Sequence, residues 1–140
     1  MTEPEPTSDD RAVVEDLRAH GGVVSHGPLV GDPLMIMTST GARSGRLRLA
    51  VLTFSRDGGD YVVAGTAGGS PVGPAWIHNV AAHPNVVVEA EGRTFRARAT
   101  VADPAERAQL WDRHVEALPK FAVYPSQAGR LIPMVRIRPE

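Results

Sequence analysis

Val86-Val87-Val88-Glu89-Ala90-Glu91-Gly92-Arg93-Thr94-Phe95-Arg96-Ala97-Arg98-Ala99-Thr100-Val101 holds two runs of alternating character on either side of Glu91-Gly92. Residues 86, 88 and 90 share one face of the first run. Residues 95, 97, 99 and 101 share one face of the second, and its arginines take the other. A period of two puts successive side chains on opposite faces of an extended chain. Each run therefore predicts a strand with one buried and one wet face, and Glu91-Gly92 predicts the turn that pairs them.

Outward from this hairpin, hairpins recur. Downstream, Asp103 predicts a helix cap, with Pro104 at the first helical position and Glu106 three residues after the cap. That helix is expected to reach about Leu118, with Leu110, Trp111, His114, Val115 and Leu118 at helical spacing, and a last strand covers Leu131–Arg138. Upstream, Leu34–Thr40 and Leu47–Ser55 read as strands joined by the glycine-rich Gly41-Ala42-Arg43-Ser44-Gly45. Asp57-Gly58-Gly59-Asp60 reads as a turn, Tyr61–Thr66 as a strand, and Pro74–Ala82 as a short helix broken by Pro84-Asn85. Residues 1–7 are expected to be a flexible tail. Thr7 and Asp10 resemble a capping box for a helix that presents Val13, Val14 and Leu17 on one face and stops at Gly21. The order α-β-β-β-α-β-β-α-β disfavours a parallel doubly wound sheet. It predicts a mainly β, α+β fold: a small, mostly antiparallel barrel with peripheral helices, formed by residues 8–140 as a single domain.

Composition narrows the function classes. A chain of 140 residues with 42% hydrophobic content can bury a core. The absence of cysteine removes disulfides, thiolate catalysis and cysteine-ligated metals. No apolar run is long enough to span a bilayer, and the start Met1-Thr2-Glu3-Pro4 lacks the basic and apolar regions of a signal peptide. The expectation is a soluble, cytoplasmic protein. A net charge of −1 and few aromatic residues disfavour a nucleic-acid partner.

The charge is unevenly distributed. Residues 33–56 contain no Asp or Glu but carry Arg43, Arg46, Arg48 and Arg56, leaving eleven basic and sixteen acidic residues elsewhere. Arginine suits bidentate capture of phosphate or carboxylate, and glycine lets backbone approach a ligand. A second glycine segment, Gly65-Thr66-Ala67-Gly68-Gly69-Ser70-Pro71, follows a strand and precedes a helix. It matches neither a P-loop nor a dinucleotide fingerprint. Together the two segments point to a phosphorylated ligand. His78 and His83 are five apart, which misses the helical zinc spacing, so no metal is expected. Asp57 and Asp60 read as turn formers, Glu89 and Glu91 as an exposed strand face, and His114 as a core-edge residue. Trp76 could stack on a ligand ring or simply fill the core. No side-chain set supports acid–base, nucleophilic or metal catalysis, so an organic cofactor would have to carry any chemistry.

Two segments carry a resemblance. Thr38-Ser39-Thr40-Gly41-Ala42-Arg43-Ser44-Gly45-Arg46-Leu47-Arg48 resembles the Thr-Thr-Thr-Gly-x-(Lys/Arg)-Ser-Gly stretch of the deazaflavin-dependent nitroreductase family. Gly68-Gly69-Ser70-Pro71-Val72-Gly73-Pro74-Ala75-Trp76-Ile77-His78-Asn79-Val80 resembles that family's second signature, and Ala82-His83-Pro84-Asn85-Val86, Tyr124 and Arg130-Leu131-Ile132-Pro133 continue the match. The likeness covers roughly residues 14–138. Val51, Val72, Gly73, Ile77 and Pro125 depart from the family pattern.

The resemblance implies a split β-barrel related to the FMN-binding proteins of the pyridoxamine-phosphate oxidase type. It also implies coenzyme F420, whose phosphate and oligoglutamate tail are anionic. By matching position, Arg43, Ser44 and Arg48 would hold the phosphate and tail. Gly65, Thr66, Ala67, Gly68 and Gly69 would line the deazaflavin with backbone groups. Trp76 and Asn79 would fix the loop and the cofactor pocket, and Phe121 and Tyr124 would border the substrate space. The implied reaction is hydride transfer from reduced F420 to a quinone, nitroaromatic or similar unsaturated acceptor, with Tyr124 as the candidate catalytic hydrogen-bond donor. Two alternatives keep the barrel: one binds FMN, the other is a non-catalytic carrier of a hydrophobic ligand. Split barrels often pair, which makes a homodimer one option. The acidic helix around residues 104–118 covering a sheet face is the other.

Overall fold

A computed structural model describes residues 8–27, 29–66 and 73–140. Helix α1 (Ser8–Ala19) precedes β1 (Leu34–Thr40), β2 (Leu47–Asp57) and β3 (Asp60–Ala64). Helix α2 (Ala75–Ala82), β4 (Asn85–Ala90), β5 (Arg93–Val101) and α3 (Pro104–Ala117) follow. A 3₁₀ turn (Pro119–Val123), α4 (Tyr124–Ala128) and β6 (Met134–Pro139) complete the order. The strands form a closed barrel in the order β1-β2-β3-β6-β5-β4, with every pairing antiparallel and β4 returning to β1. This is the expected mainly β barrel with peripheral helices.

The β4–β5 hairpin pairs Val88 with Phe95 and Ala90 with Arg93 across the Glu91-Gly92 turn. Val86, Val88, Ala90, Ala97 and Ala99 all point into the barrel. Glu91 takes a left-handed φ of 55°. That conformation is unfavourable for a non-glycine residue, but here the carboxylate is anchored. It accepts hydrogen bonds from the Tyr61 hydroxyl at 2.5 Å and from Arg56 at 2.7 Å.

Small residues on β5 leave room for large ones opposite. Ala97 and Ala99 face a core that holds Met35, Met37, Phe54, Tyr61, Val135 and Ile137. Tyr61 lies 5.0 Å from Phe54 and 5.6 Å from Phe95, centroid to centroid. Trp76 and Val80 from α2 close this core. Each such side chain contributes about 1.5–3 kcal/mol by leaving water. Outside the barrel, α1 packs Val14 and Leu17 on Leu34 and Ile36. Leu110 of α3 joins Phe121, Ile132 and Met134 over β3. Asp103 caps α3 by accepting from the Glu106 N–H at 2.8 Å, as its spacing predicts.

Several expectations need correction. Residues 119–128, where the sequence pattern predicts no element, form the 3₁₀ turn and α4. Each is five residues long, too short to show a period. The last strand begins at Met134 rather than Leu131. Pro133 has no N–H for a ladder, and its carbonyl instead accepts from Gly65 N at 2.8 Å. Thr7, half of the expected capping box, lies outside the described residues.

Asp57 and Asp60 do more than form a turn. Both bind Arg136 of β6, at 2.8 and 2.9 Å, and Arg113 also reaches Asp57. Glu89 and Glu91 are likewise paired, with Arg18 and Arg56 respectively. Arg56 thereby leaves the basic cluster expected from sequence. Its guanidinium lies 3.9 Å from the centre of the Tyr61 ring, at the opposite end of β2 from the hairpin tip. His114 is fully buried, not at the core edge.

Candidate active site

β2 is longer than either partner can cover. Residues 47–53 pair with β1, whereas only residues 54–57 pair with β3. The Phe54 N–H donates to Pro33 O, and Arg46 O accepts from Gly41 N. Even-numbered residues of β2 therefore turn their backbone groups toward β1. By the alternation of an antiparallel ladder, Leu49, Val51 and Thr53 turn theirs the other way. Among the described residues, no strand occupies that edge. The barrel is split there, between β2 and β3, and a cleft of about 920 Å³ fills the split.

Four elements enclose the cleft besides the β2 edge. The β1–β2 hairpin tip contributes Gly41, Ala42, Arg43 and Ser44, and the end of β3 contributes Ala64 and Thr66. Helix α2 contributes Ala75, Trp76, His78 and Asn79, and the segment after α3 contributes Phe121 and Tyr124. From Arg48 to Thr53 the strand spans roughly 17 Å at about 3.4 Å per residue. The cleft thus joins a basic end at the hairpin tip to an aromatic end near Ser55.

The basic end is held by backbone. Gly41 N donates to Arg46 O at 2.7 Å, Gly45 N donates to Gly41 O at 3.0 Å, and Arg46 N donates to Ser44 Oγ at 3.1 Å. A β-carbon on Gly41 would stand 2.6 Å from Ser44 Oγ and 3.2 Å from Arg46 O, so a side chain there would displace the Ser44 hydroxyl and crowd the Arg46 carbonyl. Buried Asn79 accepts the Ala42 N–H through Oδ1 at 3.0 Å and ties the tip to α2. Among the described residues, Arg43, Arg46 and Arg48 engage no carboxylate, so their charge is uncompensated at the tip.

Eight sequence-predicted site residues line this one cleft: Arg43, Ser44, Arg48, Thr66, Trp76, Asn79, Phe121 and Tyr124. Trp76 fills the barrel core, where it is buried, and it also borders the cleft. Gly65 stands behind the wall rather than on it. A β-carbon there would come within 2.8 Å of Pro133 and 3.0 Å of Ile77, so glycine lets these two close up. Ala67, Gly68 and Gly69 lie outside the described residues.

Among the lining residues that the sequence does not mark as part of a site is Ser39. Ser39 is 1% exposed, borders the cleft, and sits directly across from Arg48 on the paired strand. Its hydroxyl has no hydrogen-bond partner among the described residues. A serine within a strand carries no pattern of its own. Only the burial of its oxygen beside a cleft marks it, because buried polar atoms are otherwise nearly always bonded.

The arrangement offers cationic donors at one end, a free strand edge along one side, a buried hydroxyl and an aromatic pair at the other end. It suits a long, partly flat, anionic ligand. A family model described as F420H(2)-dependent quinone reductase matches residues 9–139. An F420H(2)-dependent quinone reductase of Mycobacterium tuberculosis (strain ATCC 25618 / H37Rv) is 31% identical over 121 residues, covering 84% of this chain and 81% of that protein. A solved F420-H2 dependent reductase (FDR-A) is 34% identical with a TM-score of 0.68, covering 76% of this chain and 94% of its own. A solved domain-swapped dimer is 29% identical with a TM-score of 0.69, covering 93% of this chain and 95% of its own.

Proposed function

This chain belongs to the F420H(2)-dependent quinone reductase family, and from that premise we propose that its cleft holds coenzyme F420 along the open edge of β2, with a quinone at the aromatic end. The protein is an oxidoreductase that uses F420. When bound in its reduced form, the coenzyme supplies a hydride to the acceptor.

The cleft's own residues fit the coenzyme. Arg43 and Arg48 offer charge-assisted donors for the phosphate and the glutamate tail, and Ser44 stands beside them. The outward-facing backbone groups of Leu49, Val51 and Thr53 can pair with polar edges of a flat ring. The pair Arg43 and Arg48 is the observation that carries this reading, because two guanidinium groups at one end of the cleft with no carboxylate beside them among the described residues favour an anionic ligand.

What remains for the protein is positioning and exclusion of water. Hydride transfer needs reacting atoms about 3–3.5 Å apart, so the walls must hold two flat molecules in register. Phe121 and Trp76 supply apolar surface, and the Tyr124 hydroxyl can donate to an oxygen of the acceptor as negative charge develops on it. The domain-swapped relative supports pairing of this chain with a second copy.

The direct test is a fluorescence titration of the apoprotein with F420, with FMN in parallel. Tight, salt-sensitive binding of F420 together with weak binding of FMN is the expected result. Preference for FMN, or binding of neither, would remove the assignment. In the same preparation, Tyr124→Phe should lower turnover about tenfold or more while leaving the F420 dissociation constant nearly unchanged, in line with loss of a donor used only in the transition state. Full turnover in that variant would take Tyr124 out of the reaction.

A further inference from the structure

The aromatic end of the cleft is backed by a polar pair. His114 lies on α3 in the helical register of Leu110, and it is fully buried. Its Nδ1 is 2.7 Å from Ser55 Oγ, on the segment of β2 just past the open edge. Its Nε2 is buried with no hydrogen-bond partner among the described residues. The imidazole meets Phe121 at 4.6 Å between centroids and 83° between planes. Phe121 in turn meets Tyr124 at 5.1 Å and 75°. An unbroken chain of four side chains thus runs from β2 through α3 to the two aromatic residues that line the cleft.

A leucine at this register would fill comparable space and leave no unpaired nitrogen. The feature leucine lacks is a flat ring whose plane is set by a hydrogen bond. A ring held at Nδ1 presents a fixed surface to Phe121, and an edge-to-face contact favours one relative orientation of the two rings. We propose that Ser55 and His114 are positioning residues for the quinone: their hydrogen bond sets the ring plane of Phe121 and, through it, the place of Tyr124. They would thereby determine which flat acceptors fit against the coenzyme. This rests on the reading of the cleft's aromatic end as the acceptor site.

The experiment compares Ser55→Ala, His114→Leu and the double variant with wild type. The expected result is an F420 dissociation constant unchanged within about twofold. The KM for a naphthoquinone should rise about tenfold, against less than about threefold for a single-ring benzoquinone, as a misplaced wall predicts. The double variant should be no worse than the more affected single variant, because the two residues act through one bond. NMR of the apoprotein supplies a readout independent of activity: the Tyr124 ring resonances should shift in each variant. If His114→Leu fails to fold, Ser55→Ala decides.

Unmoved Tyr124 resonances, or an F420 affinity that falls in step with the quinone KM, would overturn the proposal. If wild type binds no F420, the functional reading fails instead. The NMR arm then still tests whether the pair orients the aromatic residues.

Discussion

The double variant Arg43→Ala/Arg48→Ala is expected to bind F420 about 100-fold or more weakly than wild type. Each arginine can give a charge-assisted hydrogen bond to the anionic part of the coenzyme, and such bonds contribute about 1.5–3 kcal/mol each. Loss of two at the low end already gives that factor. Neither side chain engages a carboxylate among the described residues, so their removal should cost little stability. The dependence of affinity on salt should flatten in the same variant, because screening acts on the charges that have been removed. Lysine at either position should restore only part of the affinity, since an ammonium offers a point charge and no planar fork. Arg46 is the control. It sits at the same tip but does not border the cleft, and Arg46→Ala should change affinity less than about threefold on screening grounds. Equal losses from all three arginines would indicate a diffuse field rather than a binding site.

A second large effect concerns stability in acid. Burial lowers the pKa of His114 from 6.5 to about 4, because a charged imidazole in this core would lose its hydration. The native protein therefore keeps His114 neutral over a range where the unfolded chain takes up a proton. Stability from this source is complete above about pH 6.5. It declines as pH falls toward 4 and changes no further below that. The full span corresponds to about 3 kcal/mol at 1.36 kcal/mol per pH unit, or roughly 10 °C in Tm for a chain of this size. Thermal melts at intervals between pH 7 and pH 4 would show the decline, and His114→Leu should remove most of it. A variant with the same slope as wild type would assign the loss to other groups.

Asp57 acts in a lower window. Its hydrogen bond to Arg136 holds the carboxyl below its ordinary 3.8, against the opposing effect of burial. Its contribution is present above that value and is lost as pH falls through the depressed pKa. The two groups therefore separate along the pH axis, with His114 titrating first as acid is added.

Much of the fold was legible from local pattern. The β4–β5 hairpin follows from alternation and a two-residue turn, and α3 follows from Asp103, Pro104 and an apolar stripe. These elements depend on residues within one or two turns of each other, so a linear reading reaches them. The glycine-rich tip with Arg43, Ser44 and Arg48 was legible for the same reason, since three of its hydrogen bonds run between residues 41 and 46. Short elements without a period, the 3₁₀ turn and α4, were not.

The sequence by itself determined the barrel's strands, their buried faces, the basic tip and the family signature. Only the tertiary structure decided where those parts meet. The cleft exists because β3 covers β2 from residue 54 onward and no farther, a consequence of how six strands close into a ring. Asn79 reaches Ala42 across 37 residues, and His114 reaches Ser55 across 59. Arg56 resembles the tip arginines in sequence, yet it faces the other end of the strand. Ser39 gains meaning only from the burial of its oxygen. Each of these depends on contacts that form when the chain closes on itself, and no local period encodes them.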